Sequence, residues 1–278
     1  MVHEDLKILD PNFKPPLAQR RVSYGNVVKE LQYADLRYPA TPGPWPVVAM
    51  IHGGFWKAEY DMEHAGHLCH ALTKTGLATW NIEYRRIGNG GGWPTTFEDI
   101  IDAMNYLGPM AEYYPLDLNK VVVLGHSAGG HLALWLAGAR KYPDVLPETK
   151  LTISLKGVVS LAGVADLQIA WEKRLSNGIV KDFLGGSPDE VPERYGYACP
   201  LKRLPADTRQ ILIHGEDDTK VPVGLSMLYK QRAMELQKST GENEPVELRV
   251  LDNCGHFELI DPEKEQFAWV RQAIADLI

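Results

Sequence analysis

The chain has 278 residues, 45% hydrophobic and 23% charged, the proportions of an ordinary globular protein with enough apolar side chains for a sizeable core. Its 29 basic and 36 acidic residues leave a net charge of −7, and no basic run is long enough to track a phosphate backbone, which argues against nucleic-acid binding. No apolar run reaches the length of a membrane span, and residues 1–18 lack the basic and apolar regions of a signal peptide, reading instead as a polar N-terminal arm. Three cysteines, Cys69, Cys199 and Cys254, are too few and too odd in number for a disulfide framework, so a reducing, cytoplasmic compartment is expected.

After the arm, residues 20–23 and 31–38 read as an opening antiparallel hairpin, followed by apolar strands at 46–51 and 78–84. Residues 96–111 carry Phe97, Ile100, Ile101, Met104 and Leu107 at helical spacing. A strand at 120–124, a helix at 131–140 and a strand at 157–161 come next. The stretch 165–204 mixes aromatic residues with Gly185, Gly186 and Pro188; it reads as a small cap over a pocket or as a covering excursion with a structural role alone. The chain closes with strands at 210–213 and 246–251 and helices at 221–237 and 263–278. Strands alternating with helices imply an α/β protein built on a doubly wound, mostly parallel sheet, and no repeat divides it, so one domain over 1–278 is expected.

The chemistry concentrates where strands end. Leu124-Gly125-His126-Ser127-Ala128-Gly129-Gly130 sets a serine between an apolar strand and an amphipathic helix, with Gly125 and Gly129 where a sharp turn would crowd the backbone. The strand 46–51 runs into His52-Gly53-Gly54-Phe55-Trp56, a loop able to aim backbone N–H groups at a serine in front of it. Attack on a carbonyl charges its oxygen, and the candidate donors to that oxygen are the amides of Gly54, Phe55 and Ala128. The strand 210–213 leads into His214-Gly215-Glu216-Asp217-Asp218-Thr219-Lys220-Val221-Pro222. One carboxylate there can orient an imidazole; Asp218 holds the acid's place in H-G-x-x-D-x-x-V-P, while Glu216 and Asp217 suit solvent or a helix N-terminus. His256, in Cys254-Gly255-His256 just after the strand 246–251, completes the order Ser, Asp, His.

Together these residues resemble the serine esterases of the α/β-hydrolase superfamily, from about Tyr33 to the C-terminus. The His52-Gly53-Gly54-Phe55-Trp56 segment is similar to the HGGxW form of kynurenine formamidase-like and feruloyl-esterase-like hydrolases. The resemblance implies the α/β-hydrolase fold, Ser127 as nucleophile, Asp218 as acid, His256 as base, and an oxyanion hole from Gly54, Phe55 and Ala128. It implies a small ester or amide as substrate and no cofactor, with esters leading and aryl formamides as the alternative. Phe55 stands where other esterases carry a third glycine, which leaves open which amides point inward. The run Gly90-Gly91-Gly92-Trp93-Pro94 reads as a connector or as a pocket rim.

Trp56, Trp93 and His126 are the candidate pocket residues, Trp56 because it adjoins the oxyanion loop. The other tryptophans, Trp45, Trp80, Trp135, Trp171 and Trp269, are expected in the core or the pocket lining. His64, His67 and His70 lie close in sequence, but on a helix they spread over roughly 120°, too wide to converge on one metal, so no metal site is expected.

Overall fold

The computed structural model describes residues 7–10, 12–25, 28–141, 146, 149–240 and 246–278, and residues 1–6 and 11 of the expected arm lie outside them. Among the described residues, eight strands form one sheet: β1 (Arg20–Ser23), β2 (Tyr33–Arg37), β3 (Trp45–Ile51), β4 (Ala78–Ile82), β5 (Leu116–His126), β6 (Gly157–Leu161), β7 (Gln210–Gly215) and β8 (Val246–Leu251). Their order is β1-β2-β4-β3-β5-β6-β7-β8. The pairs β1–β2 and β2–β4 are antiparallel, and every later pair is parallel. This is the mixed, doubly wound α/β-hydrolase sheet, with the antiparallel hairpin at its start.

The central strands are continuous apolar runs because both of their faces are covered. Val47, Ala49, Ile51, Val121 and Val123 pack into one core with Phe97, Leu132, Trp135 and Tyr229. Their neighbours Val48, Met50, Val122 and Leu124 point the other way, against Leu68, Leu72, Val270 and Ile274. The first set of helices comprises α2 (Thr95–Asn105), α4 (Ala128–Ala137) and α8 (Gly224–Thr240); the second comprises α1 (Gly66–Thr73) and α9 (Phe267–Ala275). Trp269 is the exception to the expected burial of tryptophans: it lies on the outer face of α9 and is 49% exposed.

Where boundaries differ from expectation, local chemistry explains the shift. The expected helix 96–111 is broken into α2 and α3 (Leu107–Ala111). Pro109 has no N–H for the Asn105 carbonyl and its ring crowds that carbonyl, so the first helix ends there. Strand β5 starts earlier than expected because Leu116 and Asp117 pair with Trp45 and Pro46; the register then jumps to Val47↔Val121 across a bulge at residues 118–120, and the polar Asp117, Asn119 and Lys120 interrupt the apolar run and hide the start of the strand. Helix α9 starts late because Asp261 Oδ1 accepts from the Glu263 amide and i→i−3 hydrogen bonds of Lys264 and Phe267 tighten the approach.

The excursion between β6 and β7 holds α5 (Leu167–Glu172), α6 (Leu175–Leu184) and α7 (Pro192–Ala198). It packs down onto the domain. Phe183 stacks on Trp56 with ring centroids 4.4 Å apart, the Phe183 carbonyl accepts from the Trp93 amide, and His131 Nε2 bonds the Ala198 carbonyl at 3.0 Å. The arm packs as well: Ile8 is buried and the Phe13 ring stacks on His67.

Candidate active site

The carboxyl ends of β3, β5, β7 and β8 carry the loops that meet at one cavity of about 470 Å³. Ser127 sits between β5 and α4 at φ 55°, ψ −118°, a conformation that L residues adopt only when the surroundings impose it. Its amide is held by the Leu161 carbonyl at 2.8 Å, and its own carbonyl accepts from His131 N–H at 3.0 Å. Two glycines make the turn possible. A Cβ on Gly125 would lie 2.1 Å from the Gly129 carbonyl oxygen, and one on Gly129 would lie 2.0 Å from the Ile51 carbonyl oxygen. Both obstacles are backbone and cannot swing aside. Gly129→Ala is therefore expected to destabilise the fold by at least about 3 kcal/mol, by forcing the end of β3 away from the first turn of α4 next to the serine. Urea unfolding of the variant checks this; a loss under about 1 kcal/mol would contradict it.

The loop after β3 lies directly against this turn, since a Cβ on Gly53 would come within 3.0 Å of Ser127 Cβ. Gly54, Phe55 and Trp56 follow at φ 111°, 48° and 56°. Gly54 and Phe55 line the cavity beside Ser127, and Ala128 is the first residue of α4. Among the described residues, none of the amides of Gly54, Phe55 and Ala128 donates to a protein acceptor. Three N–H groups next to one hydroxyl, one of them at the positive end of a helix, suit a developing oxyanion.

This loop is braced from behind by residues that sequence patterning did not single out. The His52 side chain is fully buried, its Nδ1 2.7 Å from the Gly53 carbonyl and its Nε2 3.6 Å from Glu83 Oε1. Glu83 also accepts from the Met62 and Tyr84 amides and pairs with Arg86 at 2.5 Å. Burial alone would raise the Glu83 carboxyl, but the neighbouring His52 and Arg86 outweigh it and hold the group below its ordinary range. The only hint in the sequence is the group of charged residues Glu83, Arg85 and Arg86 directly after an apolar strand.

On the other side, His256 Nδ1 and Asp218 Oδ2 are 2.6 Å apart, with both side chains nearly or fully buried. Asp218 Oδ1 accepts from the amides of Lys220 and Val221, each at 2.8 Å. His214 Nε2 stands 3.2 Å from Asp218 Oδ2 and 2.9 Å from the Val221 carbonyl, while its Nδ1 meets Ser226 Oγ. A carbonyl can only accept, so His214 carries its proton on Nε2 and donates toward the carboxylate. Burial by itself would raise the Asp218 carboxyl; the hydrogen bonds from His214 and His256 overcome that and hold it well below the usual carboxylate range. Glu216 and Asp217 are exposed, and their amides fasten the loop to the β8 side through the carbonyls of Leu251 and Cys254. Gly215 permits this contact, because a Cβ there would lie 2.1 Å from the Cys254 carbonyl oxygen.

The Asp218 bond places the His256 proton on Nδ1 and leaves Nε2 as an acceptor. His256 and Ser127 line the same cavity; the hydrogen bonds among the described residues do not include one between them. His126 lies in the cavity wall too. Its Nε2 is 2.9 Å from the His256 carbonyl and its ring centroid is 4.6 Å from that of His256, so it fastens the loop that carries the imidazole. Burial, then the neighbouring His256, drives the His126 ring well below its ordinary value, and it stays neutral.

Two expected pocket residues fall elsewhere. Trp56 is fully buried between Phe183 and His131, and Trp93 packs edge-on against Phe97; neither lines the cavity. Both rings find aromatic partners in the core beneath the excursion, which outcompetes a wet pocket wall. The three clustered histidines take separate environments. His64 lines the cavity and is pushed down to about 3, chiefly by burial and then by His52; His67 stacks on Phe13; His70 lies on the far side of α1. Among the described residues, no group of three or more metal-ligating side chains converges.

Residues 34–232 match the model of the BD-FAE family, which covers well over half of the chain. The chain belongs to the BD-FAE family. Esterase LipC of Mycobacterium tuberculosis is 28% identical over 87% of this chain, and this chain spans 60% of LipC's length. The uncharacterized peptidase YtmA of Bacillus subtilis is 26% identical over 85% of this chain and 84% of its own. The crystal structure of esterase B from Lactobacillus rhamnosis superposes with a TM-score of 0.75 at 19% identity, covering 95% of this chain and 88% of that one. The BD-FAE match begins at β2 and ends within α8, so it takes in Ser127, the 52–56 loop and Asp218 and stops before His256.

Proposed function

We propose that this BD-FAE member is a serine hydrolase of small carboxylic esters, working through an acyl-enzyme on Ser127 with no cofactor. The observation that carries the reading is the 2.6 Å bond between His256 Nδ1 and Asp218 Oδ2 in the wall of the cavity that also holds the strained Ser127 turn. His256 Nε2 takes the Ser127 hydroxyl proton as Oγ attacks the ester carbonyl. The imidazolium gains from the ionised Asp218, and the amides of Gly54, Phe55 and Ala128 receive the charge on the carbonyl oxygen. Collapse expels the alcohol, which takes the proton from His256. A water, deprotonated by the same nitrogen, then attacks the acyl-enzyme; the carboxylic acid leaves and Ser127 regains its proton. The excursion 165–204 serves as a small cap fixed by its stacking on Trp56 and forms part of a single domain with the sheet.

The similarity to LipC, an esterase, supports esters over amides as the substrate. No helix among the described residues is long and apolar enough to cross a membrane. The odd count of three cysteines supports a reducing compartment, the cytoplasm. The test is a set of p-nitrophenyl esters of rising acyl length, run beside an aryl formamide and an acetanilide. A short-chain ester is expected to have the highest kcat/KM. A formamide preferred by several orders of magnitude would overturn the ester reading, and no turnover of any of them would overturn the hydrolase reading.

A further inference from the structure

Four cations converge on the cavity that holds Ser127, and they come from three separate parts of the chain. Lys57 follows the 52–56 loop, Lys173 and Arg174 join α5 to α6, and Lys220 lies in the loop that carries Asp218. Among the described residues that line the cavity, none is an aspartate or glutamate. The chain as a whole carries more acids than bases, 36 against 29, so its average composition favours the opposite sign at this point. Lys57 is partly offset by Glu59 at 3.7 Å; among the described residues, Lys173, Arg174 and Lys220 have no ion-pair partner.

The backbone at the rim is also unusual. Arg174, Ser176 and Asn177 have φ 52°, 47° and 63°, and Gly178 follows at 82°. A run of left-handed L residues persists only where surrounding structure imposes it, and such runs gather at ligand sites. Here the run turns five consecutive residues, 173–177, along the cavity. The rest of the wall includes the apolar rings of Phe55, Tyr60 and Phe257. The cavity thus offers an apolar seat with a cationic edge.

We infer that the preferred ester carries an oxyanion such as a carboxylate, set on a short apolar body and held by the Lys57, Lys173, Arg174 and Lys220 edge. The inference rests on the esterase reading. A focused positive potential over the nucleophile raises the local concentration and association rate of an anionic substrate, and that advantage weakens as salt screens it.

Two matched pairs test it, with the anion first on the acyl side and then on the leaving group: mono-4-nitrophenyl succinate against 4-nitrophenyl butyrate, and 3-acetoxybenzoate against phenyl acetate. In about 20 mM salt the anionic member of at least one pair is expected to show a kcat/KM about tenfold or more above its neutral partner, and the ratio should fall severalfold in about 500 mM salt. The double variant Lys173→Gln, Arg174→Gln, altered only at exposed side chains, is expected to lower the same ratio by about fivefold or more. Ratios at or below one for both pairs would overturn the inference while leaving the esterase reading intact. A ratio indifferent to both salt and the double substitution would also overturn it. Failure to turn over any of the four esters would remove the esterase reading itself, and the inference with it.

Discussion

Ser127→Ala is expected to lower kcat for the best p-nitrophenyl ester by about 10⁴- to 10⁶-fold, and to abolish labelling by a fluorophosphonate probe. The size follows from what is lost. Without Oγ no acyl-enzyme forms, and the residual rate rests on the amides of Gly54, Phe55 and Ala128 acting on direct attack by water. A change of that size corresponds to about 5 to 8 kcal/mol of barrier. The fold should survive, because alanine occupies the same strained turn and the backbone bonds to Leu161 and His131 do not involve the hydroxyl. A melting temperature within about 2 °C of the unaltered protein would establish that the loss is chemical. Labelling that persists in the variant would place the nucleophile elsewhere.

Asp218→Asn is expected to cost about 10⁴-fold in kcat, by reversing the imidazole rather than by removing it. The amides of Lys220 and Val221 hold one oxygen of the side chain in place, so an asparagine there turns its NH₂ toward His256 and His214. An NH₂ donates to Nδ1, which moves the His256 proton to Nε2 and leaves nothing to accept the Ser127 proton. Asp217→Asn, one residue away and exposed, should stay within about twofold, as surface substitutions generally do. If Asp217 proved the more damaging of the two, the acid would be misassigned.

The pH profile separates the groups further. The Asp218 carboxyl titrates well below its ordinary value of 3.8, so the stability it contributes in ionised form is complete above that value and is lost only as the pH falls further. A loss of rate on acidification that sets in above this range then reports a group other than Asp218, and the base has to be neutral to take the serine proton.

The class of fold was legible because the central strands are buried on both faces and so read as apolar runs, between helices marked by the spacing of residues such as Phe97, Ile100 and Met104. The elbow was legible for a steric reason: Gly125 and Gly129 stand where a Cβ would strike the backbone, and that requirement cannot be met by any other residue. Strand starts were less clear. The polar Asp117, Asn119 and Lys120 hide the first part of β5, and Pro109 divides a helix whose apolar spacing continues across the break.

Local sequence by itself determined where turns fall and which side chains could do chemistry, since steric demands and hydrogen-bonding capacity act over a few residues. Only the tertiary structure decided who meets whom. The contact of Asp218 with His256 across 38 positions, the buried Glu83 brace behind His52, and the hold of His126 on the His256 carbonyl all depend on loops that packing brings together. The same is true of Trp56, which sequence position sets beside the cavity and which aromatic packing against Phe183 draws into the core, and of the cations that share one cavity edge with Ser127. Long-range pairing and burial are properties of the packed chain, and no window of neighbouring residues contains them.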